Sequence, residues 1–263
     1  MHASAVKDAT RQPIVILGGF LIGEQAYAPM VATLRRLSGQ PVELVPVGKL
    51  EWLLTVTPRA WARILDRVAA AVARQSAVSA TGRVTLVGHS SGGIMLRLFL
   101  GDGPFQGRRW RGRERADALV MLGSPHTARK ATPLRQQVAR ELPGCAFAPA
   151  VRYLSVAGDL ELDPARGQAS DTARRLAPTA YRNSTGDAAD RGDGLVPVAS
   201  ALLEGSEALV LAGVAHGGAF GPIWYGTPAV VERWWAALAD GSADGGRVDG
   251  GGSGDQSPSR APM

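Results

Sequence analysis

A serine, a histidine and a carboxylate brought together can perform nucleophilic acyl chemistry, and the histidines available to this sequence are four: His2, His89, His126 and His216. The serine with the most informative surroundings is Ser90, in Val84-Thr85-Leu86-Val87-Gly88-His89-Ser90-Ser91-Gly92-Gly93. Gly88, Ser90 and Gly92 form a Gly-x-Ser-x-Gly motif between a β-branched strand pattern and an apolar helical pattern, the strand–turn–helix setting of a nucleophile elbow. A serine at such a tip occupies a strained backbone conformation. Side chains two positions before or after it would collide with the neighbouring strand and helix.

His2 lies at the terminus, and His89 lies inside the elbow with its side chain directed away from that of Ser90. His126, in Leu122-Gly123-Ser124-Pro125-His126, follows a strand pattern; it is the alternative base and otherwise reads as a pocket-rim or loop residue. His216, in Gly213-Val214-Ala215-His216-Gly217-Gly218, follows the last strand pattern and precedes the final helix. It is the expected general base, matching the chain order serine, acid, histidine. For the carboxylate that orients it, local reasoning leaves Asp159 and Asp193 near even. Asp159 ends a strand, whereas Asp193 sits in the glycine-flanked turn Gly192-Asp193-Gly194-Leu195-Val196-Pro197-Val198. Asp187 and Asp190 are lesser options. An oxyanion hole needs two preorganised amides. The expected donors are the backbone N–H groups of Ser91 and of Phe20, with Leu21 behind it, in the loop Leu17-Gly18-Gly19-Phe20-Leu21. The run Gly18–Gly23 has the wrong spacing for a dinucleotide fingerprint, and no cofactor or metal is expected. The single cysteine, Cys145, rules out an internal disulfide and a cysteine-based zinc cluster.

The elements that must position these residues alternate between strand and helix. Strand patterns occupy Ile14–Leu17, Val42–Val47, Arg83–Val87, Ala118–Leu122, Val151–Ala157 and Ala208–Leu211. Helical patterns occupy Gln25–Leu37, Pro58–Gln75, Ser91–Leu100, Pro133–Leu142 and Pro228–Ala239. The expectation is an α/β fold, a doubly wound and mostly parallel sheet covered on both faces, with its site at the carboxyl ends of the strands.

The segments Ile14–Phe20, Val84–Gly93, Leu122–His126, Val151–Gly158, Gly192–Ser200 and Gly213–His216 together resemble the lipase branch of the α/β-hydrolases, near the GPI inositol-deacylase-like and the cyanobacterial and plant lipase-like proteins. Trp224-Tyr225-Gly226 extends the likeness. The resemblance implies Ser90 as nucleophile, Asp193 as acid and His216 as base, with Asp159 the alternative acid. It implies hydrolysis of a carboxylic, acyl-lipid ester through an acyl-enzyme, and a small cap inserted within Thr127–Pro149. The same acyl-enzyme would serve acyl transfer or thioester cleavage. A ligand-binding protein on this fold is the reading from another class.

At 263 residues, 45% hydrophobic and 20% charged, the chain has the composition of a globular protein. The expected organisation is a flexible N-terminus over 1–12, one α/β-hydrolase domain over 13–239 and a glycine-rich disordered tail over 240–263. No signal segment or membrane-spanning run is read, so the expected place is cytoplasmic or membrane-peripheral. The net charge of +6 is partly local: Arg108-Arg109-Trp110-Arg111-Gly112-Arg113-Glu114-Arg115 holds five arginines in eight residues. That run reads as a solvated loop, with contact to anionic lipid as the sharper expectation and no nucleic-acid module beside it. Trp52-Leu53-Leu54, next to Lys49, either packs on the core or rims an acyl pocket or touches lipid. The partner expected at the site is a small-molecule or lipid ester; the oligomeric state is not readable.

Overall fold

Four consecutive apolar residues after Pro13 make strand β1 (Ile14–Leu17), buried along its whole length as expected of a strand covered on both faces. The computed structural model describes residues 8–240. Strands β2 (Val42–Leu44), β3 (Val84–His89), β4 (Ala116–Leu122), β5 (Arg152–Asp159) and β6 (Glu207–Ala212) complete a six-stranded sheet of order β2-β1-β3-β4-β5-β6. Every neighbouring pair is parallel. The chain leaves β1 toward one edge, returns past it to β3, and then steps steadily to the other edge. The direction of winding therefore reverses between β1 and β3, the place where open parallel sheets form a crevice at the carboxyl ends of their strands. Those two ends carry the Phe20 loop and the Ser90 turn.

The period of two along the strands divides the core. Val15, Leu17, Leu119 and Met121 face one side, with helices α3 (Pro58–Val78), α4 (Ser91–Leu100) and α5 (Pro133–Glu141) packed over them. Ile14, Ile16, Val120 and Leu122 face the other, under helices α1 (Ala28–Ser38) and α8 (Pro228–Asp240). Helix starts follow their caps. Pro58 opens α3 behind the Thr57 cap. The Ser170 hydroxyl accepts from the Ala173 amide at 3.1 Å to open α6 (Asp171–Ser184).

Several expectations need correction. The second strand stops at Leu44 rather than Val47, although the Val45 amide still reaches the Ile16 carbonyl at 2.8 Å. The first helical pattern resolves into a 3-10 turn (Glu24–Tyr27) followed by α1, because Pro29 sits in the opening turn and has no amide to continue the earlier hydrogen bonds. Three helices were not anticipated: α2 (Lys49–Leu53), α6, and the single turn α7 (Val198–Ala201). The excursion expected between β4 and β5 carries α5, while the longer α6 lies between β5 and β6.

The expected flexible N-terminus is corrected for residues 8–12. Ala9 and Gln12 are buried, and the Ala9 carbonyl accepts from the Thr85 hydroxyl at 2.5 Å. Gln12 Oε1 accepts from Ser79 and Thr81. Residues 1–7 lie outside the described residues, as does the glycine-rich tail except Asp240, the last residue of α8.

Candidate active site

The turn from β3 into α4 can be built only with glycine on both sides of Ser90. A Cβ on Gly88 would lie 2.4 Å from the Gly93 Cα, and one on Gly92 would lie 2.3 Å from the Leu17 carbonyl oxygen. Ser90 itself has φ 53° and ψ −124°, a conformation that non-glycine residues rarely adopt. Such strain costs about 1–3 kcal/mol and persists only where the surroundings enforce it. Here the Ser90 amide donates to the Leu122 carbonyl at 2.9 Å, and a Cβ on Gly19 would lie 2.8 Å from the Ser90 Cβ.

Sequence separates Ser90, Asp193 and His216 by long intervals, but the fold brings them into one line. His216 Nε2 lies 2.9 Å from Ser90 Oγ, and His216 Nδ1 lies 2.8 Å from Asp193 Oδ2. All three residues are buried, Asp193 completely. An ionised Asp193 can only accept, so Nδ1 carries the imidazole proton and Nε2 is left to accept from the Ser90 hydroxyl. A buried charge needs compensation, and Asp193 accepts four hydrogen bonds. Oδ1 takes the amides of Leu195 (3.0 Å) and Val196 (2.7 Å), and Oδ2 takes His216 and the Tyr225 hydroxyl (2.9 Å). Burial, together with the Asp193 charge, pushes the Tyr225 phenol well above its ordinary range, so it remains a donor. The His216 amide also donates to the Asp193 carbonyl at 2.8 Å, locking one loop on the other.

A second hydrogen-bonded line backs the first. His89 Nε2 is 2.9 Å from the His216 carbonyl oxygen, which only accepts, so Nε2 holds the proton. His89 Nδ1 therefore accepts from the Tyr27 hydroxyl at 2.8 Å, and the Tyr27 oxygen accepts from the Gly19 amide at 2.7 Å. Burial first, and then the proximity of His216, hold His89 well below the usual histidine range, keeping it neutral. The Gly19 amide is thereby committed. Among the described residues no hydrogen bond from the Phe20 or the Ser91 amide is found.

The remaining candidates lie elsewhere. Asp159 pairs with Arg191 and has no contact with His216. Its carbonyl accepts from the Gly213 amide. His126 is buried against Arg97, with Nδ1 at 3.3 Å from Nη1. Burial and the charges of Arg97 and Arg135 depress it strongly. Cys145 is half-buried and its thiol is pushed up to about 11 by burial. Among the described residues no cluster of His, Cys, Asp and Glu is spaced to hold a metal. Tyr27, Tyr225 and Tyr181, whose hydroxyl accepts from the Gly194 amide at 2.7 Å, were not anticipated as parts of the site. The only signal was Tyr225's place in the segment that extends the family likeness.

No protein-family model and no curated protein matches the chain. Solved structures do. A tomato methylketone synthase I complexed with 2-tridecanone matches at 18% identity and a TM-score of 0.34 over 51% of this chain. This chain spans about half the length of that protein, 49%. A pyrethroid hydrolase matches at 19% identity and a TM-score of 0.44 over 88% of this chain and 97% of its own. A CIB-like hydrolase from Thermoplasma acidophilum matches at 11% identity and 0.44 over 89% of each chain. The parallel sheet of order β2-β1-β3-β4-β5-β6, its two helical layers and the tight turn after β3 are those of an α/β-hydrolase fold.

Proposed function

We propose that the protein is a serine-dependent hydrolase of carboxylic esters carrying an acyl chain. The observation that supports this reading is the unbroken line Ser90 Oγ, His216 Nε2, His216 Nδ1, Asp193 Oδ2, with spacings of 2.9 and 2.8 Å. In this mechanism His216 takes the proton from the Ser90 hydroxyl as its oxygen attacks the ester carbonyl carbon. Asp193 holds the imidazole in the required tautomer and stabilises the imidazolium. The Phe20 and Ser91 amides donate to the oxyanion of the tetrahedral intermediate. Collapse expels the alcohol, which takes the proton back from His216, and leaves Ser90 acylated. Water, deprotonated by His216, then attacks the acyl carbon; the acid is released and Ser90 recovers its proton.

The test is turnover of p-nitrophenyl esters of increasing chain length by the wild type and by Ser90→Ala. The wild type should release acid and p-nitrophenol in equal amounts, and Ser90→Ala should lose at least a thousandfold in kcat/KM. Equal turnover by the two proteins would remove Ser90 from the mechanism and the reading with it.

A further inference from the structure

Among the described residues, six of the ten exposed large apolar side chains lie in two segments, the loop after β1 and the stretch 50–56. Leu50 and Val56 are 78% and 79% exposed, and Leu53, Leu54, Phe20 and Leu21 are each about half exposed. The first four belong to α2 and the 3-10 turn that follows it (Leu54–Val56). The last two belong to the loop after β1, whose Gly19 abuts Ser90. One contact joins the two groups: the Phe20 ring stands edge-on to the buried Trp52 ring, centroids 6.5 Å apart. Trp52 anchors α2 in the core while its neighbours Leu53 and Leu54 face water. A contiguous exposed apolar patch of this kind marks an interaction surface.

The charges around the patch select the partner. Lys49, Arg59 and Arg63 are exposed and form no ion pair among the described residues. Glu51, the carboxylate within the same stretch, is held by Arg67 and by the Gly48 amide and also lies in the field of Arg63. Beyond Pro58 the surface falls into a groove of about 610 Å³ lined by Arg59, Arg63, Gln106 and Arg108. Asp66 engages Arg108 alone among these, at 2.6 Å. The arginine run singled out in the sequence is by contrast largely satisfied within the chain. Arg108 pairs with Asp66, Arg113 with Asp102, and Arg109 donates to the Asp102 carbonyl. Lys49 and Arg59, exposed and without an ion pair among the described residues, thus adjoin the exposed leucines, while Arg109 and Arg115 are the cations of that run without one.

An apolar strip that can enter an acyl layer, beside cations that can meet acidic headgroups, is the pattern of a peripheral lipid-binding surface. We infer that the surface formed by Phe20, Leu21, Leu50, Leu53, Leu54 and Val56, flanked by Lys49, Arg59 and Arg63, docks the protein on an aggregated lipid with anionic headgroups. Docked in this way, the mouth of the Ser90 crevice faces the lipid. The inference deepens the ester-hydrolase reading and rests on it for its purpose, though the docking itself does not require catalysis.

The test is co-sedimentation of the full chain with phosphatidylcholine vesicles, with and without a quarter of phosphatidylglycerol. It is run beside turnover of the water-soluble p-nitrophenyl acetate. The variants are Leu53→Asp/Val56→Asp and Arg59→Glu/Arg63→Glu, all at exposed positions, with circular dichroism to verify folding. Wild type should bind the anionic vesicles. The apolar variant should lose at least tenfold on both vesicle types. The charge variant should lose about thirtyfold on anionic vesicles only, from about one kcal/mol for each of the two cations removed. Acetate turnover should stay within twofold in both. No wild-type binding, or binding that neither variant weakens, would overturn the inference. A loss confined to the charge variant would also overturn it, since the protein would then be held by charge alone and the leucines would not enter the lipid. Vesicle binding as expected without acetate turnover would leave the docking surface standing and remove the hydrolase reading alone.

Discussion

Asp159 and Asp193 occupy comparable places at the carboxyl side of the sheet, yet their surroundings oppose each other. Asp159 ends β5, is partly exposed, and shares its carboxylate with the exposed Arg191. Asp193 lies in the loop before α7, is fully buried, and accepts from two amides, a phenol and an imidazole. The surface pair, with its arginine in water, is screened by solvent. The buried carboxylate is tolerated only because every lone pair has a donor. What separates the two residues is therefore not the strand end or the turn that carries them. It is the convergence of donors from distant segments.

The strongest way to break this comparison is to neutralise each carboxylate. Asp193→Asn should lower kcat about ten-thousandfold while the protein stays folded, because an amide can no longer fix the His216 tautomer. Comparable activity would show that the buried line has no part in the reaction. Next in size is Tyr225→Phe. Removing a hydrogen bond to a charged group is worth about 1.5–3 kcal/mol, so kcat should fall about tenfold to a hundredfold. A purely structural role would leave kcat intact and lower only the melting temperature.

The third prediction concerns acid. His89 and His126 are both held well below the usual 6.5 by burial. In the unfolded chain they bind protons that the folded chain refuses, so this contribution is full above pH 6.5 and declines as pH falls below it. Urea unfolding should therefore show stability falling as the pH is lowered from 7.5 to 5.5. A flat profile would mean that one or both histidines are protonated in the folded state. The smallest effect belongs to Asp159→Asn, which should change kcat/KM by less than threefold. A loss as large as that of Asp193→Asn would reverse the comparison.

Much of the scaffold was legible because its signals are local. Runs such as Ile14–Leu17 and the glycines around Ser90 report burial and close approach within a few residues of themselves. Position along the chain was enough to put His216 after the last strand. The choice between Asp159 and Asp193 was not legible locally, since the donors that distinguish them lie at Tyr225 and His216; family likeness alone favoured Asp193. The hydroxyls of Tyr27 and Tyr225 were missed for the same reason: a buried tyrosine in an apolar pattern does not say where its hydroxyl points. The α2 segment was missed for a different one. Its leucines point to water, so it lacks the one-sided periodicity by which a helix is read.

Everything proposed for the crevice depends on Ser90 being the activated nucleophile of the line it forms with His216 and Asp193. Intact-mass analysis of folded protein after exposure to a fluorophosphonate, with peptide mapping of the adduct, addresses that point without a choice of substrate. One phosphonyl adduct should form on Ser90, absent from Ser90→Ala and slowed at least a hundredfold in Asp193→Asn. Folded wild-type protein that takes up no label, or that carries it on another residue, would contradict the assignment.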